Sequence, residues 1–199
     1  MREEVREGYE KGDYESDYRR NREIRQMEER LFEEMLDRVP EGPKVLDLGC
    51  GIGEPFDRYL VEEGCDMTGV DIAEKHVKKA RENVPGAEFM QGDFFEQDFA
   101  DGSFDAVVSF YAIFHIPREE HGNLFGRIHR WLKEDGVILV TLGGGEMDEH
   151  RDEIGGAEML WSSYTVEENR ELVEEAGFDI IEDCIEEEEG HLWILAEKR

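Results

Sequence analysis

The sequence predicts an α/β fold, a doubly wound, mostly parallel sheet with helices on both faces. Three observations carry this. Between Lys44 and Leu142, short apolar runs alternate with helical segments, the rhythm of right-handed strand–helix–strand crossovers. Runs such as "FDAVVSF" are almost continuously apolar, as strands covered on both faces require. The last two apolar runs are joined by only a short loop at Glu189-Gly190, a connection that antiparallel strands alone allow.

The elements follow in order. Ile24, Met27, Leu31, Met35 and Val39 recur at steps of three and four, one face of a helix, which Pro40, Gly42 and Pro43 stop. "KVLDL" is the first strand, and a helix with proline near its first turn follows over Pro55 to Glu63. "CDMTGVD" is the second strand. The helix from Ala73 to Asn83 ends before Pro85-Gly86, and "AEFMQGD" and "FDAVVSF" are the third and fourth strands. Arg118 to Leu132 places Leu124, Phe125, Ile128 and Trp131 on one helical face, and "GVILVTL" is the fifth strand. Residues 143–164, with turn-rich ends and a charged middle, read as a substrate-side insertion. Thr165 with Glu168 forms a capping box for a helix that Gly177 stops. "FDIIEDCIEEE" and "HLWILAEK" close the chain, and the acidic run 186–189 reads as a solvated hairpin end. The expected organisation is a helical lid over residues 1–40 and a main domain over residues 41–199.

Composition narrows the function. The formal net charge is −29, and so acidic a surface repels phosphate backbones and anionic membranes. Nucleic acid and membrane partners are therefore not expected. The charged N-terminus lacks the apolar core of a signal peptide, and three scattered cysteines form neither a disulfide framework nor a metal spacing. A cytoplasmic location and no metal are expected.

The chemistry concentrates in "KVLDLGCGIG", where Gly49, Gly51 and Gly53 alternate directly after a buried strand. Glycines there either satisfy the turn itself or let a ligand approach the main chain. In a doubly wound sheet the ligand lies at the carboxyl ends of the strands, where strand order reverses. Asp71 ends the second strand and Asp93 follows the third, both placed to accept hydrogen bonds from a nucleoside. The glycine spacing is one residue tighter than the dinucleotide fingerprint, and no phosphate-loop lysine is present. Asp47, Glu54 and Asp57 nearby suit a cation better than a diphosphate.

"VLDLGCGIG", "GVDIAEKHVKKAREN", "GDFFE", "FDAVVSFYAIFHIP" and "IHRWLKEDGVILVTL" resemble successive motifs of the class I S-adenosylmethionine-dependent methyltransferases, from Val45 to about Leu142. The resemblance implies a Rossmann-like, seven-stranded sheet with an antiparallel last strand, and S-adenosyl-L-methionine as cofactor, with S-adenosyl-L-homocysteine as product. It assigns Asp47, Gly49 and Gly51 to the methionyl part, and Asp71 to the ribose hydroxyls. Ile72, Asp93 and Phe94 fall to adenine, and Ser109 and Phe110 to the methionyl side. His115 is the candidate base or substrate contact. Tyr111, Phe114, Trp161 and Tyr164 are candidate walls of the acceptor pocket. Tyr14 and Tyr18, with Arg22, stand where relatives carry a lid. A small-molecule methyltransferase is the leading reading. A non-catalytic S-adenosylmethionine-binding regulator and a nicotinamide-dependent oxidoreductase are the alternatives, the latter disfavoured by the glycine spacing.

Overall fold

The structure, a computed structural model, describes residues 1–12 and 22–199. Its strands are β1 (Lys44–Leu48), β2 (Asp66–Asp71), β3 (Glu88–Gln91), β4 (Phe104–Ser109), β5 (Leu132–Leu142), β6 (Met147–Ile154), β7 (Ala157–Ser163), β8 (Phe178–Ile185) and β9 (Leu192–Lys198). The helices are α1 (Arg2–Lys11), α2 (Gln26–Leu36), α3 (Phe56–Glu62), α4 (Glu74–Asn83), α5 (Arg118–Trp131) and α6 (Val166–Glu175). Seven strands form one sheet in the order β3-β2-β1-β4-β5-β9-β8. Strands β1 to β5 run parallel, and β9 lies antiparallel between β5 and β8. The expected doubly wound sheet is therefore present, including its antiparallel final strand. Strand order reverses between β1 and β4, so the loops leaving these two strands diverge there and open a crevice.

Alternation along the strands builds two cores. Leu46, Leu48, Val107, Ile138, Val140 and Ile194 join one cluster with Leu124, Phe125, Ile128 and Trp131 of α5. Val45, Ala106, Val108, Leu139 and Trp193 join the other with Leu31, Phe32 and Met35 of α2 and Phe56 and Leu60 of α3. Successive residues of β1 and β4 thus feed opposite layers, as the period of two dictates.

The described residues among the first 40 form two helices with different roles. Leu31, Phe32 and Met35 of α2 are fully buried, and each such side chain contributes roughly 1.5–3 kcal/mol. This helix is a layer of the core rather than a lid. It starts with Glu28 accepting the Arg25 N–H at 3.0 Å, and Arg30 ties it to Glu182 on β8 at 2.6 and 2.5 Å. Among the described residues of this segment, α1 lies over the strand ends, where Arg2, Val5 and Tyr9 line the cavity. It packs on β7 through Val5 and Gly8, and a Cβ on Gly8 would stand 2.5 Å from the Met159 sulfur and 2.8 Å from the Glu158 carbonyl.

The segment read as an insertion forms an antiparallel hairpin, β6 with β7. "MDEHRDEI" has no alternation to reveal a strand, because its carboxylates and guanidinium face solvent and neighbouring charges. Arg151, for one, pairs with Glu158 across the hairpin at 2.8 Å. The capping box at Thr165 forms as expected, with Glu168 accepting the Thr165 N–H at 3.0 Å, and Gly177 takes φ +98° beyond it.

Candidate functional site

The glycine loop leaves β1 with three left-handed residues, at φ +91° for Gly49, +54° for Gly51 and +75° for Gly53. L side chains pay ~1–2 kcal/mol in that region. The three glycines answer different needs. A Cβ on Gly49 would stand 2.2 Å from the Ala112 Cβ, in the loop leaving β4. One on Gly53 would stand 3.0 Å from Val84 and 3.3 Å from Phe89. One on Gly51 would meet nothing within 4 Å, and Gly51 lines a cavity. The loop is held down because Gly49 and Cys50 both donate to the Val70 carbonyl, at 2.8 and 3.1 Å.

Asp71, the last residue of β2, organises the crevice. One carboxylate oxygen accepts the Gly51 N–H at 2.9 Å, and the other accepts the Ala73 N–H at 2.9 Å, at the start of α4. The His76 ring approaches the second oxygen at 3.3 Å. This acid joins the glycine loop to the next helix and still presents lone pairs to the cavity that it lines.

The glycine loop, the ends of β2 and β4 and one face of α1 line a single cavity that is open to solvent. Its floor is the glycine loop. Its roof is one face of α1, where Arg2, Val5 and Tyr9 recur at steps of three and four. Arg2 reaches down to Asp93 at 3.2 Å and across to Glu120 at 2.8 Å, and its guanidinium stacks over Phe95 at 4.8 Å. The Tyr9 ring meets the rings of His76 and His115 edge-on, at 5.1 and 5.6 Å. Asp47 and Asp57, both buried, line the same cavity.

Of the expected residues, Asp47, Gly49, Gly51, Asp71, Ile72, Asp93, Phe94, Phe110, Tyr111 and His115 line this one cavity. Ser109 does not. It is fully buried behind the lining, and its hydroxyl donates to the Leu48 carbonyl at 2.6 Å. Phe114 also lies outside the lining, stacked on His191 at 5.2 Å. Trp161 sits behind His115, ring centres 5.5 Å apart, and Tyr164 packs under Arg118 at 5.3 Å. Tyr14 and Tyr18 fall outside the described residues.

His115 closes a single 3-10 turn, Ile113–His115. Its Nδ1 donates to the Leu160 carbonyl at 2.7 Å, which fixes the tautomer and leaves Nε2 with its lone pair. Burial lowers its pKa to about 4, so the ring is neutral at physiological pH. Tyr111 adopts φ +59°, and its N–H is held by the Thr141 hydroxyl. Its own hydroxyl donates to Glu186 at 3.2 Å, which also accepts from Arg25 at 2.6 Å. Glu186 is buried, so the acidic run does not begin in solvent, because Arg25 and Tyr111 draw its first member inside.

Sequence reasoning missed Arg2, Val5 and Tyr9, because α1 contacts the site only through the fold. Their spacing was the available signal. It missed His76 for a different reason. An acid or histidine in a first helical turn reads as a helix-end residue.

Residues 45–136 match the family model for the methyltransferase domain. The chain is 28% identical over 180 residues to 24-methylenesterol C-methyltransferase 2 of Oryza sativa subsp. japonica, covering 83% of this chain and 49% of that one. It is 37% identical over 115 residues to phosphoethanolamine N-methyltransferase 3 of Arabidopsis thaliana, covering 55% of this chain and 23% of that one. The chain thus spans half or less of the length of these curated relatives. A solved structure of Burkholderia thailandensis 1,6-didemethyltoxoflavin-N1-methyltransferase, with 1,6-didemethyltoxoflavin and S-adenosylhomocysteine bound, shares the fold. The TM-score is 0.68 at 21% identity, over 85% of this chain and 76% of that chain.

Proposed function

With a methyltransferase domain at residues 45–136, the chain belongs to the class I S-adenosylmethionine-dependent methyltransferases, and we propose that it moves a methyl group from S-adenosylmethionine to a small-molecule acceptor. The observation that carries this reading is the joint placement of Gly51 and Asp71. The one glycine of this loop whose added Cβ would meet nothing within 4 Å is hydrogen-bonded to the acid that ends β2, so bare backbone and carboxylate line one cavity.

The bound cofactor supplies an electrophilic methyl group on a sulfonium. The chain's residues would hold and orient it. Asp71 accepts hydrogen bonds from the ribose hydroxyls, Ile72 and Phe94 flank adenine, and Asp93 meets the adenine amine. Asp47 lies toward the methionyl ammonium. Tyr111 and Phe110 offer aromatic surface near the sulfonium, an arrangement that attracts cations. His115 presents a neutral Nε2 that can accept a hydrogen bond from the substrate, a contact rather than strong base catalysis because burial holds its pKa down to about 4. Relatives named for sterols and phosphoethanolamine support a small acceptor. No helix among the described residues is long and apolar enough to cross a membrane, and we place the protein in the cytoplasm. Calorimetric titration with S-adenosylhomocysteine, then methyl transfer from labelled cofactor to a panel of small amines, phenols and sterols, tests the reading. Saturable binding and a labelled product are expected, and absence of binding overturns it.

The roof helix α1 acts as the lid. It buries only Val5 and Gly8, too little apolar area to hold it closed strongly. Hydrogen exchange is expected to be fast across residues 2–11 and to slow on adding S-adenosylhomocysteine, with β5 protected in both states. Equal exchange of α1 with and without ligand would remove the lid role.

A further inference from the structure

We propose that Glu186, in the loop between β8 and β9, is a positioning residue for methyl transfer: it holds the Tyr111 ring in the cavity wall, where the ring meets the sulfonium end of the cofactor. The inference rests on the methyltransferase reading of the site, and it assigns a role to a residue that does not itself line the cavity.

Placing this side chain costs stability. At the end of β8 the ordinary order is inverted, because Ile185 is 51% exposed and Glu186 only 5% exposed. Burying a carboxyl group is unfavourable unless partners replace its water. Glu187, Glu188 and Glu189 stay exposed in the same loop, so the acidic run as such does not demand burial. One oxygen of Glu186 has a local task, accepting the Glu189 N–H at 2.7 Å within the turn. The other serves distant elements. It accepts from Arg25 at 2.6 Å and from the Tyr111 hydroxyl at 3.2 Å.

Tyr111 is itself held against preference. Its φ of +59° lies in the left-handed region that side chains other than glycine rarely adopt. Such a residue persists where its surroundings over-determine it, and it clusters at functional sites. Here the surroundings come from several elements. The Thr141 hydroxyl of β5 accepts its N–H. The rings of Phe56, Trp193 and His191 stand around it at 6.4, 6.0 and 5.0 Å. Arg22 donates to its hydroxyl at 3.1 Å and lies over its ring at 5.5 Å. Glu28 of α2, fully buried, stands 3.4 Å from the same hydroxyl. Arg22 pairs with Glu28 and Arg25 with Glu186, so both guanidinium groups are matched by a buried acid. The hydroxyl is thereby tied to Glu186, Glu28 and Arg22, all of them behind the lining, and Tyr111 lines the cavity in front of them.

A ring fixed in this way distinguishes a sulfonium from a thioether, because an aromatic surface attracts the cation. S-adenosylmethionine carries that charge and S-adenosylhomocysteine does not. The ratio of their two affinities therefore reads the placement of the ring.

The experiment is calorimetric titration of the full chain with each of these two ligands, with melting temperature as the check on folding. Glu186→Ala is expected to lower affinity for S-adenosylmethionine relative to S-adenosylhomocysteine by about fivefold, the scale of one cation–π contact. Glu186→Gln keeps an oxygen for the phenol and should return most of that ratio. Tyr111→Phe should lower the ratio as Glu186→Ala does. Adding Glu186→Ala to Tyr111→Phe should lower it no further, because the carboxyl group acts through the hydroxyl. A merely structural Glu186 would lower the melting temperature and move both affinities together. If Glu186→Ala does not fold, Tyr111→Phe carries the same test. A ratio unchanged in Glu186→Ala or in Tyr111→Phe, or one that falls further in the double variant, overturns the proposal and leaves the methyltransferase reading intact. Binding of neither ligand by wild type overturns both.

Discussion

Asp71→Ala is expected to abolish useful binding of S-adenosylhomocysteine and, at the same time, to lower the melting temperature. The two losses have separate causes. On the ligand side, the hydrogen bonds that the ribose hydroxyls donate to the carboxylate disappear, each contributing ~1.5–3 kcal/mol, so the dissociation constant should rise at least ~100-fold. On the protein side, the N–H groups of Gly51 and Ala73 lose their acceptors, both at 2.9 Å. The glycine loop and the start of α4 then lose their common anchor. Each orphaned donor costs ~1–3 kcal/mol where water cannot replace the acceptor, so a fall of about 5–15 °C is expected for a chain of this size. Asp71→Asn separates the two effects. The amide oxygen still accepts from one backbone N–H, so much of the stability should return. The amide nitrogen is a donor where the ribose needs an acceptor, so binding should stay poor. Calorimetry and thermal melting on both variants decide the matter. A folded Asp71→Ala protein with unchanged affinity would remove the ribose from this position.

Most of the fold was legible because strand and helix periods are local. The run "FDAVVSF" is buried throughout its strand, and Thr165 with Glu168 caps α6 as their spacing requires. What escaped was the structure that only tertiary contact creates. Strand β6 of the hairpin carries charge where alternation would have marked it, and α1 is built largely of charged residues, with its site-facing Arg2, Val5 and Tyr9 separated by ordinary surface positions. The same limit applies within the site. Asp47, Asp71 and Asp93 sit at strand ends, which the pattern locates, and all three line the cavity. Asp57 sits on a helix, where orientation depends on how α3 packs. Ser109 ends its strand as expected, yet its hydroxyl is bonded to Leu48 in the neighbouring strand, a pairing that strand order determines and local sequence does not reveal.

Gly49→Ala and Gly51→Ala are expected to fail in opposite ways, although both lie in one loop and both have positive φ. At Gly49 the added methyl would begin 2.2 Å from the Ala112 Cβ. The loops leaving β1 and β4 must then separate, against the paired donation of Gly49 and Cys50 to Val70. Overpacking costs ~1–3 kcal/mol and the left-handed backbone ~1–2 kcal/mol more, so the melting temperature should fall by about 5–15 °C. At Gly51 the methyl meets no protein atom within 4 Å, and only the backbone cost of ~1–2 kcal/mol remains. That variant should stay folded, with a fall of a few degrees. Its methyl, however, occupies space on the cavity floor, where the ligand must lie against bare backbone. Affinity for S-adenosylhomocysteine should drop by at least ~10-fold, because a ligand held off by one methyl group loses close packing along that wall. Thermal melting and ligand titration on the two proteins give four numbers, and the crossed pattern is the signature of a loop whose glycines divide between packing and ligand approach. If Gly51→Ala binds as tightly as wild type, the glycine serves the turn alone, and the ligand does not lie against it.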